Sequence, residues 1–141
     1  MTDIIKLFLI SGCLGKLSLG MPTNLIGEII GKPAEGELSA TRRRKIWEIG
    51  NLQLSFFKGK LDIISLFWRE GESRLPTQIV ESGLAKVEST KYNKFVDILL
   101  ESGIQFEPDL SESDQSMICI KLRSGVRVYF ELQELYSMVI M

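Results

Sequence analysis

The two cysteines, Cys13 and Cys119, are the side chains whose chemistry is most easily judged from their spacing. They lack the C-x-x-C spacing of redox and zinc sites, and two cysteines are too few for a disulfide framework. The sequence also has no histidine, which excludes Ser-His-Asp and Cys-His nucleophiles and removes the commonest metal ligand. Carboxylate, lysine and tyrosine chemistry is still allowed. We predict that the protein is not an enzyme and has no catalytic residue.

Two charged runs could bind ligands. The acidic run lies in a Ser-rich segment and could hold a cation or face a basic partner, such as a nuclease toxin. It lacks the glycine and the terminal glutamate of a calcium loop, so a polar loop without metal or cofactor is favoured. The basic run could contact phosphates, but a net charge of -1 gives no field that would draw the chain to nucleic acid. The acidic run is Glu107, Asp109, Glu112 and Asp114, and the basic run is Arg42-Arg43-Arg44-Lys45.

The N-terminal segment has an alternative interpretation. Ile10-Ser11-Gly12-Cys13 matches a lipoprotein cleavage box, which would make the protein a lipid-anchored envelope scaffold. However, the leader carries Asp3, and Lys6 leaves an apolar run only from Leu7 to Ile10. We therefore predict a buried first helix and a cytoplasmic protein without a membrane span.

Three helices are predicted from apolar spacing and from residues that begin or end helices. The first covers residues 3–11. The second begins at Pro22 and ends at Gly31, where a left-handed residue stops a helix, and Pro33 prevents it from resuming. The third follows a cap at Ser89 or Thr90 and ends at Gly103.

Two groups of three strands are predicted from period-two alternation and turn residues. Residues 34–44 and 69–88 are expected to be mostly loop, with a short strand near Ile79 and Val80. The sequence therefore predicts an α+β fold of two tandem helix-then-antiparallel-β-meander units, with helices on one face of the sheets. The strands are 46–49, 52–56 and 61–68 in the first meander, and 117–122, 126–131 and 135–140 in the second.

The two halves of the sequence correspond. Leu52–Phe56 aligns with Val126–Phe130 at an offset of 74 residues, and the helix-ending glycines Gly31 and Gly103 are 72 residues apart. One helix on three strands has too little core to be stable alone, so two copies would share one. We predict a single domain, 1–141, with unit one at 1–70 and unit two at 77–141.

Several short motifs carry a family resemblance, which covers most of the chain. They are Gly20-Met21-Pro22, Ile29-Ile30-Gly31-Lys32-Pro33, Trp47-Glu48-Ile49-Gly50-Asn51-Leu52 and Phe56 with Leu61 and Ile64. With these motifs the first half resembles the unit of outer-membrane assembly lipoproteins (SmpA/OmlA), the tandem fold of β-lactamase-inhibitor proteins, and small uncharacterised bacterial proteins. The resemblance implies a protein-binding role, and some relatives look like immunity proteins of bacterial toxin systems.

The strand at 61–68 is apolar on both sides, so either both sides are covered or one side is left free for a partner. We predict that Ile64, Leu66 and Trp68 form the partner-binding face of a non-catalytic protein-binding module, with a toxin as one candidate partner. The apolar run from Met138 to Met141 could be an edge strand that pairs two copies in a homodimer. The alternative is a small-molecule-binding protein, or a histidine-free enzyme, with a pocket between the two sheets.

Overall fold

The structure is a computed structural model that describes residues 2–31, 37–39, 44–76, 78–79 and 86–141. The helices in this part of the chain are α1 (Asp3–Ser11), α2 (Thr23–Ile30) and α3 (Tyr92–Glu101), with a 3-10 helix at Leu110–Glu112. The strands are β1 (Glu37–Ser39), β2 (Arg44–Ile49), β3 (Leu52–Phe57), β4 (Lys60–Phe67), β5 (Glu72–Arg74), β6 (Lys86–Glu88), β7 (Phe106–Pro108), β8 (Met117–Leu122), β9 (Arg127–Glu131) and β10 (Glu134–Ile140).

Eight of the described strands form one antiparallel sheet, in the order β1-β2-β3-β4-β10-β9-β8-β7, and β5 pairs with β6 in a separate hairpin. The predicted α+β class is confirmed. The two meanders meet edge to edge where β4 pairs with β10. They lie side by side and do not face each other. In the described residues, the two meanders therefore enclose no space for the alternative of a binding pocket between two sheets.

The three helices pack on the same face of this sheet. Tyr92 and Phe95 of α3 both contact the ring of Phe130 at a centroid distance of 5.2 Å. On the same face, over the first meander, Gly27 of α2 lies against the indole of Trp47. Between them, the C-terminal end of α1 lies near Ile140 of β10. The helices thus cover one hydrophobic layer that continues across both meanders.

Helix α1 is part of this core. Its residues Ile5, Phe8 and Leu9 are at most 1% exposed, and Gly12 ends the helix in the left-handed conformation. Lipoprotein-type cleavage before Cys13 would remove these three core side chains. Within the described part of the chain, no helix is long and apolar enough to span a membrane.

The two meanders repeat the same hairpin turn. In the first meander, Lys58 and Gly59 both have positive φ, and in the second Leu132 and Gln133 do, 74 positions later. The N–H of Thr23 at the start of α2 donates to Gly59 O at 2.9 Å. At the start of α3, the N–H of Tyr92 donates in the same way to Gln133 O at 2.8 Å. Each helix therefore begins against the turn of its own meander.

Both meanders also carry a β-bulge at the same place. The register between β3 and β4 shifts after Ser55, and the register between β9 and β10 shifts between Leu135 and Ser137. The extra residues, Asp62 and Tyr136, are again 74 positions apart. A bulge inserts one residue and so changes which side of the sheet the following residues face. A chance alignment of two alternating strands would not place a bulge at equivalent positions of both meanders. Duplication of an ancestral unit is still a prediction, which these contacts favour.

Several expectations about individual elements are wrong. Residues 138–141 do not form an edge strand, because β10 lies in the middle of the sheet between β4 and β9. Helix α3 begins after Lys91, without a side-chain cap, and not after Ser89 or Thr90. The expected loops contain β1, β5 and β6, and Ile79 is a buried turn residue. Pro33, Val80, Arg42 and Arg43 lie outside the described residues.

The turn at Gly50 and Asn51 holds the β5–β6 hairpin, because Asn51 Oδ1 accepts a hydrogen bond from the N–H of Arg74 at 2.8 Å. A Cβ at Gly50 would lie 2.9 Å from Arg74 O, whereas one at Gly59 would meet nothing within 4 Å. Both glycines have positive φ.

We expect Gly59→Ala to cost about 1 kcal/mol of backbone strain, and Gly50→Ala to cost more because it also displaces the hairpin. Urea unfolding of both variants checks this, and equal losses of stability would contradict it.

Candidate functional site

The predicted partner-binding residues lie in the core. Ile64 and Leu66 are fully buried and Trp68 is 4% exposed. They face the side of the sheet that the helices cover, and Trp68 Nε1 donates to Val87 O of β6 at 3.1 Å. The expectation that this face is free is therefore wrong. A strand that is apolar on both sides shows that both sides are partly buried, but it does not show which side faces the helices.

The opposite side of the sheet is not covered by any α-helix of the described chain, and we call it the open face. At its β8–β9 end, the segment that carries the 3-10 helix packs against it, because Asp109 binds Arg127 and Ser113 Oγ accepts from the N–H of the buried Cys119. Strand register places on it the residues that alternate with the core positions. Its large apolar side chains are partly to substantially exposed. They are Ile46 of β2, Phe57 of β3, Ile63 and Phe67 of β4, Met117 of β8, Tyr129 of β9, and Tyr136 and Val139 of β10.

The central positions of the open face carry small side chains. Ser55, Ser65 and Ser137 are each less than a tenth exposed, lying between larger neighbours. Beside them, the rings of Phe67 and Tyr136 make an edge contact, with centroids 6.3 Å apart. The bulge at Tyr136 sends its side chain to the same side as Ser137 and so brings it to Phe67.

Two ion pairs flank the middle of the open face. The bulge in β4 places Asp62 opposite Arg44, whose guanidinium donates to both carboxylate oxygens at 2.8 and 2.9 Å and also to Ser55. On the other half of the sheet, Arg127 Nε donates to Asp109 Oδ2 at 3.1 Å. A hydrogen bond from Ser111 and the guanidinium of Arg127 lower the pKa of Asp109. These charges are matched within the chain, as in the polar rim of a protein interface.

Cys119 and Tyr129 are neighbouring side chains on this face whose chemical types could form a reactive pair. Burial raises the pKa of the Cys119 thiol, and burial raises the pKa of the Tyr129 phenol to about 12. Both groups are thus held in their neutral forms at neutral pH, and neither is an activated nucleophile or base. The other cysteine, Cys13, is partly buried and unpaired with Cys119.

The predicted acidic run does not form a cation site. Asp109 is engaged by Arg127, and Asp114 accepts hydrogen bonds from the N–H groups of Ser116 and Met117. Those two N–H donors lower the pKa of Asp114 and fix the turn before β8. In the residues that the structure describes, no group of three or more acidic or sulfur side chains could hold a metal ion.

The two ends of the open face carry opposite charge. The end at the β3–β4 turn presents Lys58 and Lys60, both exposed, beside Phe57. The end at the β9–β10 turn presents the exposed side chains of Glu131 and Glu134. Together with Glu70 and the aromatic residues Trp68 and Tyr136, these two glutamates line a cleft of about 430 Å³.

Comparison with protein-family models, curated proteins and solved structures found no match for this chain. The resemblance to lipoprotein units and β-lactamase-inhibitor proteins therefore stays a prediction. The candidate site rests on the geometry of the open face alone. Sequence reasoning missed this face, although Ile63 and Phe67 alternate with Ile64, Leu66 and Trp68 along β4. The sequence contains no signal that shows which of the two sides of β4 the helices cover.

The first test concerns Trp68. We expect Trp68→Ala to lower the free energy of unfolding by about 3 to 5 kcal/mol, because it leaves a cavity in the core and an unpaired Val87 carbonyl. Trp68→Phe keeps most of the apolar volume and should cost less. Urea unfolding measures both. A Trp68→Ala protein of unchanged stability would contradict the buried placement.

The second test concerns the phenol of Tyr129. Its pKa is raised from 10.0 to about 12 in the fold, mainly by burial. The neutral phenol therefore contributes stability that is complete below about pH 10 and is lost as the pH rises through about 12. Ultraviolet titration of the native protein should show one tyrosine ionising last, and Tyr129→Phe should remove that step. A last step that persists in Tyr129→Phe would contradict the assignment.

Proposed function

We propose that this chain is a non-catalytic protein-binding module and that the open face is its binding surface. The observation that carries the proposal is the one-sided packing of the sheet. Three α-helices cover one side, while the other side leaves eight large apolar side chains partly exposed, counting Met117 of β8, without any α-helix of the described chain over them. A contiguous apolar surface of this kind on a folded domain marks a site of contact.

The composition of the open face fits a protein partner. Four of its large side chains are aromatic, and aromatic residues are enriched at the positions that dominate binding energy. The ion pairs of Arg44 with Asp62 and of Arg127 with Asp109 flank this aromatic group and would form a polar rim. Its apolar side chains extend over several neighbouring strands, which fits the broad surface of a protein better than a small molecule held in one pocket.

The area of the open face lies near the lower limit for a stable interface. Six central strands at about 4.8 Å spacing, each about 20 Å long, give an area of roughly 600 Å² before the turns are added. Stable interfaces bury about 800 Å² on each partner. The sheet edges are poorer candidates, because β1 and β7 have three residues each and β7 ends at Pro108.

The resemblance to immunity-type proteins makes a bacterial toxin the first partner to test. The lipid-anchored scaffold and the pocket-containing protein are weaker alternatives. The first would lose the core side chains of α1 on cleavage before Cys13, and the second needs two sheets that face each other.

Site-specific photocrosslinking in the source cells tests the proposal. The photoreactive amino acid p-benzoylphenylalanine replaces Tyr136, on the open face, or Leu100, on α3. Tyr136 is 39% exposed and Leu100 is 64% exposed, so random collisions favour adducts at position 100. We expect a discrete protein adduct from position 136 and none from position 100, with the partner identified by mass spectrometry.

The same experiment can contradict the proposal. An adduct that forms equally from both positions, or from position 100 alone, would place the binding surface on the helices. The absence of any adduct from position 136 under conditions where the protein is folded would remove the open face as a binding surface.

A further inference from the structure

The charge on the open face is divided between its two ends. Lys58 and Lys60 stand at one end, and no described carboxylate forms an ion pair with either of them. Glu131 and Glu134 stand at the other end, directly opposite each other across the β9–β10 hairpin. Like charges that face each other across a hairpin are unfavourable in an isolated chain. Lys91 lies beside Glu134, and Ser89 Oγ donates to the Glu134 carboxylate at 3.4 Å, so the chain itself relieves part of that repulsion. Among the described residues, no hydrogen bond or ion pair engages the Glu131 carboxylate in this way, and a positive group from another molecule would relieve the remainder.

The two ends cannot neutralise each other within one chain. Strand β4 has eight residues, so the ends lie about 25 Å apart at about 3.3 Å per residue. That separation is more than twice the screening length of about 10 Å at 0.1 M salt. Each end therefore presents its own charge to an approaching molecule.

The two ends also match in shape, because they are equivalent positions of the two meanders. The turn Lys58-Gly59 corresponds to Leu132-Gln133 at the 74-residue offset, and Lys60 corresponds to Glu134. In the pairing of β4 with β10, Ser65 lies opposite Val139, its own equivalent, so the two halves are related by an approximate two-fold rotation through that pair. The sheet thus has near-equivalent ends of opposite sign.

From this arrangement we infer that the open face binds a second copy of this chain, face to face, about a two-fold axis that runs across the strands. The inference rests on the proposed function, because it names the occupant of the same face. A two-fold axis in this direction lays the lysine end of each copy on the glutamate end of the other. An axis parallel to the strands would instead oppose lysine to lysine and glutamate to glutamate.

The contacts in this dimer follow from the geometry of one chain. The open face of one copy stacks on the open face of the other at a sheet-to-sheet distance of about 10 Å. Lys58 or Lys60 of each copy reaches the cleft that Glu70, Glu131 and Glu134 line on the other. Because the contact is isologous, the same pairing occurs twice, and each residue change is felt at two places.

Self-association and capture of a foreign protein would then compete, since one surface cannot be covered twice. A foreign partner that uses the open face must bind the monomer. Its apparent affinity should fall as the concentration of this chain rises through the dimer dissociation constant.

Charge-swap variants of the purified full chain test the inference. Lys58→Glu/Lys60→Glu makes both ends negative, and Glu131→Lys/Glu134→Lys makes both ends positive. We expect wild type to dimerise at low salt and each double variant to raise the dimer dissociation constant at least about tenfold. An equimolar mixture of the two variants should form a heterodimer as strong as the wild-type dimer, because both contacts are again complementary. Analytical ultracentrifugation gives the constants, and native mass spectrometry identifies the heterodimer.

Matched controls separate this result from effects of net charge or misfolding. Lys6→Glu/Lys94→Glu makes the same change in net charge at exposed positions of α1 and α3 and should leave the dimer intact. Circular dichroism and urea unfolding verify that every variant is folded.

Two outcomes overturn the inference. One is a wild-type chain that stays monomeric at all concentrations, and the other is a dimer that both charge-swap variants preserve. If the chain is monomeric but position 136 still crosslinks to a foreign protein, the proposed function stands and only the second copy is excluded. If position 136 crosslinks to nothing, both fail.

Discussion

The pairing of β4 with β10 is the constraint on which the rest of the structure depends. It joins the last strands of the two meanders, with Ile64 opposite Ile140 and Leu66 opposite Met138. All four of these side chains face the helices and are at most 8% exposed. A shift of one residue in this register would turn the core side chains of one meander to the open side. The pairing therefore fixes which face is core across the whole sheet.

This constraint also explains why one face is left open. Helices α2 and α3 lie on the same side of the sheet, because each begins against the hairpin turn of its own meander. The opposite side receives small serines in its middle and ion pairs at its flanks, which lowers the cost of contact with water. It still retains Phe67, Tyr129 and Tyr136, so it is more apolar than a surface that only meets solvent needs to be. The short described edge strands β1 and β7, the second of which ends at Pro108, disfavour association through the sheet edges.

Much of the fold could be predicted from local sequence signals. Apolar spacing and the glycines at 12, 31 and 103 located the three helices, and Lys58-Gly59 located a hairpin. The short strands β1, β5 and β6 were not predicted, because three residues are too few to show an alternation. The start of α3 was placed at Ser89 or Thr90, since serine and threonine are good caps, but the backbone contact of Tyr92 with the β9–β10 turn determines where the helix begins.

The candidate site could not be predicted because it depends on long-range pairing. Strand β4 is apolar on both sides, and only the position of the helices shows that Ile64, Leu66 and Trp68 are core while Ile63 and Phe67 are not. The central place of β10 has the same origin, since no local signal says that two meanders join through their last strands. The bulges at Asp62 and Tyr136 are also set by the sheet, and they determine which side chains reach the open face.

We propose that protein covers the open face in solution, and hydroxyl-radical footprinting tests this most directly. The oxidation rates of Phe67 and Tyr136 are compared between the chain in its source cells and the purified chain at high dilution, with Leu100 and Leu110 as exposed references. We expect Phe67 and Tyr136 to be oxidised several-fold more slowly in cells, while the reference leucines react equally in both samples. Equal rates at Phe67 and Tyr136 in both samples, with the references unchanged, would contradict it.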